Sequence, residues 1–194
     1  MKNNYIEQLL RYDSAWKGHG LFAMKLVETF NPNIVVDLGV DYGFSTFCFG
    51  YPQIGSVYGI DWFQGDDHAG HRDTLNDVDS LYQDLIKWYG VSNIEFIKSD
   101  FAEAAKTWDK EIDILHIDGF HSYEAVKKDY ENWIGFCKEN SIILFHDTES
   151  FPETVGKFFN ELEGFKLNRT NSAGLGILTK SEKVYQRIKE FVNE

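Results

Sequence analysis

Cysteine and proline are both scarce in this chain of 194 residues, which contains two cysteines and three prolines. Cys48 and Cys137 lie among apolar and aromatic residues, so we expect two buried, reduced thiols and a cytoplasmic protein rather than a disulfide framework. Internal repeats, low-complexity tracts and linkers are also missing. The sequence therefore predicts one domain over residues 1–194.

Long apolar runs and an excess of positive charge are lacking as well. No run approaches the roughly 20 apolar residues that span a bilayer, and the polar residues 1–13 do not resemble a secretory signal. The formal net charge is −12, and the lysines are scattered among acidic residues. Because proteins that bind nucleic acid or anionic lipid usually carry a basic patch, we expect neither a nucleic acid nor a membrane as partner.

Short apolar runs alternate with longer amphipathic segments, which is the pattern of βαβ units and a mostly parallel sheet. We predict an N-terminal helical segment over residues 1–30, a core sheet over 34–179 and a C-terminal helix over 181–193. Strands are predicted at residues 34–38, 56–60, 93–97, 112–117, 141–145, 165–169 and 175–179. The main helices between and after them are predicted at residues 45–50, 78–89, 122–138, 154–162 and 182–192. This order indicates an α/β, Rossmann-like, seven-stranded sheet with helices on both faces.

Ligands of open parallel sheets bind beyond the carboxyl ends of the strands, and here those positions carry glycines and acids. The first strand leads into a turn with Gly39 and Gly43, and Asp41 stands where dinucleotide-binding turns have their middle glycine. An acid there would repel a pyrophosphate, but it tolerates the cationic sulfonium and amino groups of S-adenosylmethionine (SAM). The turn therefore favours SAM over NAD as cofactor.

The ends of the second and third strands suit the rest of such a cofactor. Asp61 lies 22 residues after Gly39, where a carboxylate can accept both ribose hydroxyls. Asp100 and Phe101 are placed to read and cover the adenine, and Trp62 to cover the adenosine. The predicted cofactor-binding residues are Asp37, Gly39, Asp41, Tyr42, Gly43, Ser45, Asp61, Trp62, Asp100, Phe101 and Asp118.

A second group of polar residues follows the fourth and fifth strands. Asp118 ends the fourth strand, His121 lies three residues later, and His146 and Asp147 end the fifth strand. Carboxylates and imidazole bind divalent cations, and oxygen-rich ligation suits magnesium or manganese. We predict Asp118, His146 and Asp147 as metal ligands, and His121 with Asp118 as catalytic residues, because a histidine can accept the proton of a metal-activated hydroxyl.

The remaining histidines are interpreted differently. His116 lies inside the fourth strand and is predicted to belong to the core. His68 and His71 lie in a polar loop that forms either a second metal cluster or a lid above the cofactor.

These motifs resemble class I SAM-dependent methyltransferases over residues 34–179, and within them the small bacterial metal-dependent O-methyltransferases of sugars and natural products. The most specific segments are residues 60–70, 115–133, 143–148 and 174–178. The resemblance implies methyl transfer to a hydroxyl of a saccharide or glycosylated metabolite. It also implies a magnesium site at Asp118 and Asp147 with His121 as base, although His146 stands where several relatives carry an acid.

Alternative functions stay open from the sequence alone. A nucleotide-binding oxidoreductase is disfavoured by Asp41, and a non-catalytic SAM-binding protein by the convergence of Asp118, His121 and Asp147. The apolar residues of the N-terminal segment, among them Tyr5, Leu9, Leu10 and Trp16, suit packing either on this domain or on a second subunit of a homo-oligomer.

Overall fold

The computed structural model describes residues 1–66 and 70–193. Its helices are α1 (Lys2–Leu9), α2 (Gly20–Phe30), α3 (Phe44–Gly50), α4 (Leu75–Tyr89), α5 (Phe101–Thr107), α6 (Tyr123–Trp133), α7 (Lys157–Glu161) and α8 (Glu182–Lys189). Its strands are β1 (Ile34–Leu38), β2 (Ser56–Asp61), β3 (Gly65–Asp66), β4 (Gly70–His71), β5 (Ile94–Lys98), β6 (Ile112–Ile117), β7 (Cys137–His146), β8 (Phe165–Arg169) and β9 (Leu175–Thr179). No helix among these residues is both long and apolar enough to cross a bilayer.

Seven strands form one sheet in the order β5-β2-β1-β6-β7-β9-β8, which confirms the predicted Rossmann-like α/β fold. The strands from β5 to β7 run parallel, and β9 and β8 complete the sheet antiparallel. The central strand β1 is apolar apart from Asp37 and is buried over Val35–Leu38, because both faces of the sheet are covered. Leu38 pairs with Ile60 and Ile117, so the ends of β1, β2 and β6 lie at one level.

The N-terminal segment packs on the domain itself. Tyr5, Leu9 and Trp16 are buried, whereas Leu10 stays 44% exposed. The Tyr5 hydroxyl donates a hydrogen bond to the Phe47 carbonyl at 2.9 Å, which ties α1 to α3. Of the two packing alternatives, the structure therefore shows burial of this segment against its own chain.

Three of the predicted boundaries are wrong. The predicted helix over 122–138 ends at Trp133, and a 3₁₀ turn over Ile134–Phe136 leads directly into β7, which begins at Cys137 rather than at residue 141. Pairing with β6 overrides helical spacing here, since Ile112 pairs with Cys137 and the Ser141 hydroxyl donates to the Ile112 carbonyl at 2.6 Å. The polar loop predicted to contain His68 and His71 holds the β3–β4 ribbon, and α4 begins three residues before the predicted start at residue 78.

Candidate functional site

A cavity of about 540 Å³ opens where the parallel strands end. Gly39, Asp61, Asp100, Asp118 and Asp147 line it from the sheet side, and residues 12–16 of the N-terminal segment line it from the opposite side. This volume is in the range of small-molecule and cofactor sites. The position, at the switch point between β1 and β6, is where open α/β sheets bind ligands.

The turn after β1 requires glycine at its first position. Gly39 has a φ of 101°, and a Cβ at this residue would overlap the Asp118 carbonyl oxygen. The backbone conformation and the close approach of β6 therefore both exclude a side chain. The turn is thereby held next to the strand end that carries Asp118.

Asp61 holds the same turn from the end of β2. Its Oδ2 accepts hydrogen bonds from the Val40 and Asp41 backbone N–H groups at 2.8 and 3.0 Å, and its Oδ1 accepts from the Phe63 N–H at 2.7 Å. Burial raises the pKa of this carboxyl, and these three hydrogen bonds act against that rise. The predicted contact of Asp61 with a ribose stays a prediction: the residue lines the cavity, and its Oδ1 keeps a second lone pair, whereas Oδ2 already accepts two hydrogen bonds.

Asp37 does not reach the cavity. It is fully buried, and its Oδ2 accepts from the Ser45 and Thr46 hydroxyls at 2.7 and 2.5 Å. Its Oδ1 lies 2.6 Å from His116 Nδ1, and this pair confirms that His116 belongs to the core. Asp37 is thus a positioning residue beneath the turn, not the direct cofactor contact that the sequence predicts.

Two other residues predicted to contact the cofactor instead support the backbone beneath it. Gly43 does not line the cavity; its φ of 87° places it at the start of α3, where a Cβ would overlap the Phe47 ring. Ser45 lines the cavity, but its hydroxyl is donated to Asp37. The predictions for these residues arise from the glycine-turn pattern, which does not tell which side chains face inward.

Asp41 is paired with a cation that the sequence analysis missed. Arg72 donates from Nη2 to both carboxylate oxygens of Asp41 at 2.8 Å. The same guanidinium lies over the Tyr42 ring, which stacks on Tyr12 with centroids 4.2 Å apart. Because Arg72 offsets its charge, Asp41 alone does not discriminate between SAM and NAD.

The cavity as a whole is nevertheless acidic. Seven aspartates among the described residues line it, against the cations Lys128 and Arg72 and the imidazoles of His121 and His146. These aspartates are Asp13, Asp41, Asp61, Asp100, Asp118, Asp129 and Asp147. Such a charge favours a cationic ligand over a pyrophosphate.

Asp118, His121 and Asp147 form a compact group at the ends of β6 and β7. One ligand atom from each lies within 4.8 Å of the others, and His121 Nε2 is 2.7 Å from Asp147 Oδ2 and 3.9 Å from Asp118 Oδ1. Ser122 caps α6 by accepting from the Ala125 N–H, which fixes His121 before the helix, and Phe151 stacks on the imidazole at 4.3 Å. Two carboxylate oxygens and one imidazole nitrogen suit a divalent transition metal or magnesium.

His146 lies behind this group and is not part of it. Its Nδ1 is 3.2 Å from Asp118 Oδ1 and 3.1 Å from Asp147 Oδ2, and its Nε2 is 3.1 Å from the Ser172 carbonyl. Both ring nitrogens are thus engaged, and the side chain is 2% exposed. The geometry thus groups the His121 nitrogen, rather than that of the predicted ligand His146, with the two carboxylates, and leaves His146 to hold them.

The charges of this group stabilise one another. Burial opposes protonation of both imidazoles, but the carboxylates of Asp118 and Asp147 raise the pKa of His121 to about 9 and of His146 to about 10. Burial likewise opposes ionisation of Asp118, yet the two imidazoles hold its pKa well below its usual range. The predicted base His121 therefore carries a proton at neutral pH in the protein alone.

Sequence reasoning missed Asp129 in this cavity. The residue lies on α6, is 9% exposed and lines the cavity near Asp100 and Phe101. The signal was present in the sequence, because Asp129 is spaced three and four residues from the apolar Val126 and Trp133 on the same helical face. An acid within an apolar stripe is buried with it.

The predicted lid loop is described in part. His68 lies outside the described residues, and His71 is exposed on β4 and lies outside the cavity lining. Trp62 lines the cavity and is 49% exposed, as a cover for a ligand requires.

Comparison with known proteins gives a family for this chain. A family model described as a methyltransferase domain matches residues 36–148. The uncharacterized protein y4gI of Sinorhizobium fredii is 36% identical over an alignment of 177 residues that covers 85% of this chain and 19% of that protein. The chain thus spans about a fifth of the length of this curated relative.

Solved structures share the fold. The methyltransferase PaMTH1 of Podospora anserina, solved with S-adenosylhomocysteine (SAH), has a TM-score of 0.64 and 14% identity, covering 88% of this chain and 80% of its own. The O-methyltransferase TomG of Streptomyces achromogenes, solved with SAM, has a TM-score of 0.62 and 12% identity, covering 88% and 82%. At these identities the similarity concerns the fold alone.

Proposed function

The chain belongs to this methyltransferase-domain family, and from that premise we propose that it is a SAM-dependent O-methyltransferase. The proposed acceptor is a hydroxyl of a saccharide or a glycosylated small molecule, activated at a divalent cation. The reaction is proposed to take place in the cytoplasm, which the two free cysteines, Cys48 and Cys137, support.

One observation carries the proposal. A single cavity joins the glycine turn after β1 to the group formed by Asp118, His121 and Asp147. A methyl donor bound along the turn and an acceptor bound at this group would share one enclosed space. Holding two reactants together in this way converts a bimolecular reaction into an effectively unimolecular one.

The residues at the turn fit SAM. Bound SAM supplies a methyl group on a positively charged sulfur, which an acceptor oxygen can attack. The acidic lining favours this charge, and Asp61 offers its carboxylate oxygens to the ribose at the end of β2. Two structural neighbours whose fold this chain shares were solved with SAM or SAH, which further supports this cofactor.

Asp118 and Asp147 fit a divalent cation such as magnesium or manganese by their carboxylate oxygens, and His121 lies beside them in the same group. A bound cation would neutralise the two carboxylates and lower the pKa of a coordinated hydroxyl. The pKa of His121 would then fall toward its ordinary value, because the charges of the same carboxylates raise it. With the cation on the two carboxylates, Nε2 of unprotonated His121 would keep its lone pair and accept the proton of the acceptor hydroxyl, a role typically worth about 10²–10⁴-fold in rate.

The acceptor class is supported by two observations. TomG, whose fold this chain shares, is an O-methyltransferase involved in tomaymycin synthesis. Trp62 and Phe120 line the cavity with 49% and 37% exposure, so their aromatic faces offer apolar contact to a ring-shaped acceptor such as a saccharide.

The test measures formation of SAH from SAM with a panel of saccharide and glycoside acceptors. Each reaction is run with EDTA, and again after magnesium or manganese is restored. Asp147→Asn and His121→Ala should bind SAH but lose most of the transfer, by roughly 10²-fold or more for the base. Asp109→Asn is the matched control for the carboxylate, because this exposed residue lies outside the cavity lining and should leave turnover unchanged.

Two outcomes would contradict parts of the proposal. SAM binding without transfer to any acceptor class would leave a non-catalytic SAM-binding protein. Transfer that survives EDTA and the Asp147→Asn substitution would exclude the cation while leaving the methyltransferase intact.

A further inference from the structure

Asp129 is a buried carboxyl that faces the cavity, and no other described residue forms a hydrogen bond with it. It lies in the middle of α6 with 9% of its surface exposed, and it lines the cavity. Within residues 1–66 and 70–193, no side chain or backbone N–H forms a hydrogen bond or ion pair with its oxygens. Burying a polar group without a partner costs free energy, so such a group points to a ligand that completes it.

The surroundings of this carboxyl define a small recess. A Cβ on Gly119 would lie 2.9 Å from Asp129 Oδ2 and 2.7 Å from Phe101 Cε2, so these groups converge on one point of the wall. The Trp133 indole donates to the Phe101 carbonyl at 3.1 Å, which fixes α5 against α6. The recess therefore consists of an acid, an aromatic ring and a glycine backbone.

Burial and the nearby charge of Asp100 favour the neutral form of the Asp129 carboxyl. Burial is the largest effect and raises the pKa of the Asp129 carboxyl to about 7, Asp100 raises it further, and Lys128 acts in the opposite direction. The neutral carboxyl has one O–H donor and one carbonyl acceptor. Its neighbour Asp100 uses Oδ1 to cap α5 through the Ala102 and Glu103 N–H groups.

We propose that the Asp129 carboxyl binds the N1/N6 edge of the cofactor's adenine and so determines the base that the protein accepts. This inference rests on the proposed SAM-dependent function. Adenine donates from its N6 amino group and accepts at N1, so a neutral carboxyl pairs with both atoms at once. Phe101 lies beside Asp129 and offers its ring to the base.

The proposal accounts for the position of an acid in an apolar stripe. Glu131, on the same helix, has a side chain that is 62% exposed and pairs with Lys127, as a solvated acid does. Asp129 instead shares its buried face with Val126 and Trp133. No described residue donates to its oxygens, which open to the cavity, whereas the structural Asp37 accepts from two hydroxyls.

The test compares binding of SAH and of its 1-deazaadenine analogue, in which a C–H replaces N1, by isothermal titration calorimetry. The wild-type protein should bind the analogue about tenfold more weakly than SAH at about pH 6, because one hydrogen bond is lost. Asp129→Leu should bind both ligands with equal, reduced affinity. Asp129→Asn should keep the preference for SAH, since an amide also has a donor and an acceptor.

The pH dependence gives an independent reading of the same contact. SAH affinity of the wild-type protein should fall about tenfold between about pH 6 and pH 8, because the ionised carboxylate no longer donates to N1. This fall should be absent in Asp129→Asn and unchanged in the control Glu131→Gln. Thermal unfolding of each variant verifies that it is folded before titration.

The outcomes separate this inference from the proposed function. Failure of wild-type protein to bind SAH overturns both. Binding of SAH with equal affinity for the 1-deaza analogue, or with the same discrimination in folded Asp129→Leu, overturns the role of Asp129 alone.

Discussion

Replacing Asp129 by asparagine should change how the stability of the unliganded protein depends on pH. Burial, with the charge of Asp100 in addition, raises the pKa of the Asp129 carboxyl to about 7, whereas Lys128 lowers it. In the unfolded chain the same group titrates near its ordinary value of about 3.9. Between these values the folded protein binds more protons than the unfolded chain, so this residue makes stability fall as the pH rises.

The magnitude follows from the difference between the two pKa values. A gap of about three units corresponds to about 4 kcal/mol at roughly 1.4 kcal/mol per unit. No discount for solvent screening applies, because Asp129 is only 9% exposed. Asparagine is nearly the same size and stays neutral, so its advantage in unfolding free energy should grow from near zero at about pH 4 to about 4 kcal/mol at about pH 8.

Urea unfolding, followed by tryptophan fluorescence at several pH values, measures this difference. The other titrating groups, including His121 and His146, are common to both proteins and distant in effect, so they cancel in the comparison. Glu131→Gln provides the control, since this exposed acid on the same helix should give a curve parallel to that of the wild type. Parallel curves for Asp129→Asn as well would refute the argument that the carboxyl is buried without a partner.

Three other substitutions test the geometry of the site. Gly39→Ala should destabilise the protein by about 1–3 kcal/mol and abolish SAH binding, because the residue has a φ of 101° and faces the Asp118 carbonyl; an unchanged midpoint in thermal unfolding would contradict this. Asp37→Ala should cost about 3–5 kcal/mol in urea unfolding, since it leaves a buried imidazole and two hydroxyls without their acceptor; a loss below about 1 kcal/mol would show that the pair is dispensable. Asp147→Asn should lower the pKa of His121 from about 9 toward its ordinary value, as followed by NMR titration, and an unmoved pKa would show that Asp147 does not hold the proton.

The pH window of the His121 contribution follows from the same pKa. Its folded value lies above the ordinary value near 6.5, so the stability contributed by the pair with Asp147 is complete below about pH 6.5 and is lost as the pH rises through about 9. In Asp147→Asn this loss should shrink. The difference in unfolding free energy between about pH 6 and pH 9 measures it.

Strand positions, and therefore the strand ends, could be predicted from the sequence. Apolar runs of five or six residues, each followed by a glycine turn or an acid, fix where β1, β2, β5 and β6 end. Parallel pairing then brings Gly39, Asp61 and Asp118 to one edge of the sheet. This part of the site depends on local patterns and on the topology rules of parallel sheets.

Side-chain direction and pairing could not be predicted in the same way. Asp37 and Asp41 lie four residues apart in one motif, yet Asp37 turns into the core toward His116, whereas Asp41 pairs with Arg72 across the cavity. The end of α6 was likewise decided by pairing between β6 and β7, which helical periodicity does not contain.

The sequence by itself determined the positions of the strands and the acids and glycines that follow them, because strand length and alternation with helices are local properties. Only the tertiary structure decided that His121 rather than His146 completes the group with Asp118 and Asp147, since His146 is held by the distant Ser172 carbonyl. It also decided that Asp129 faces the cavity, where no residue of 1–66 or 70–193 forms a hydrogen bond with its oxygens. Burial and the choice of hydrogen-bond partner depend on elements far apart in the chain, and packing of the whole domain brings them together.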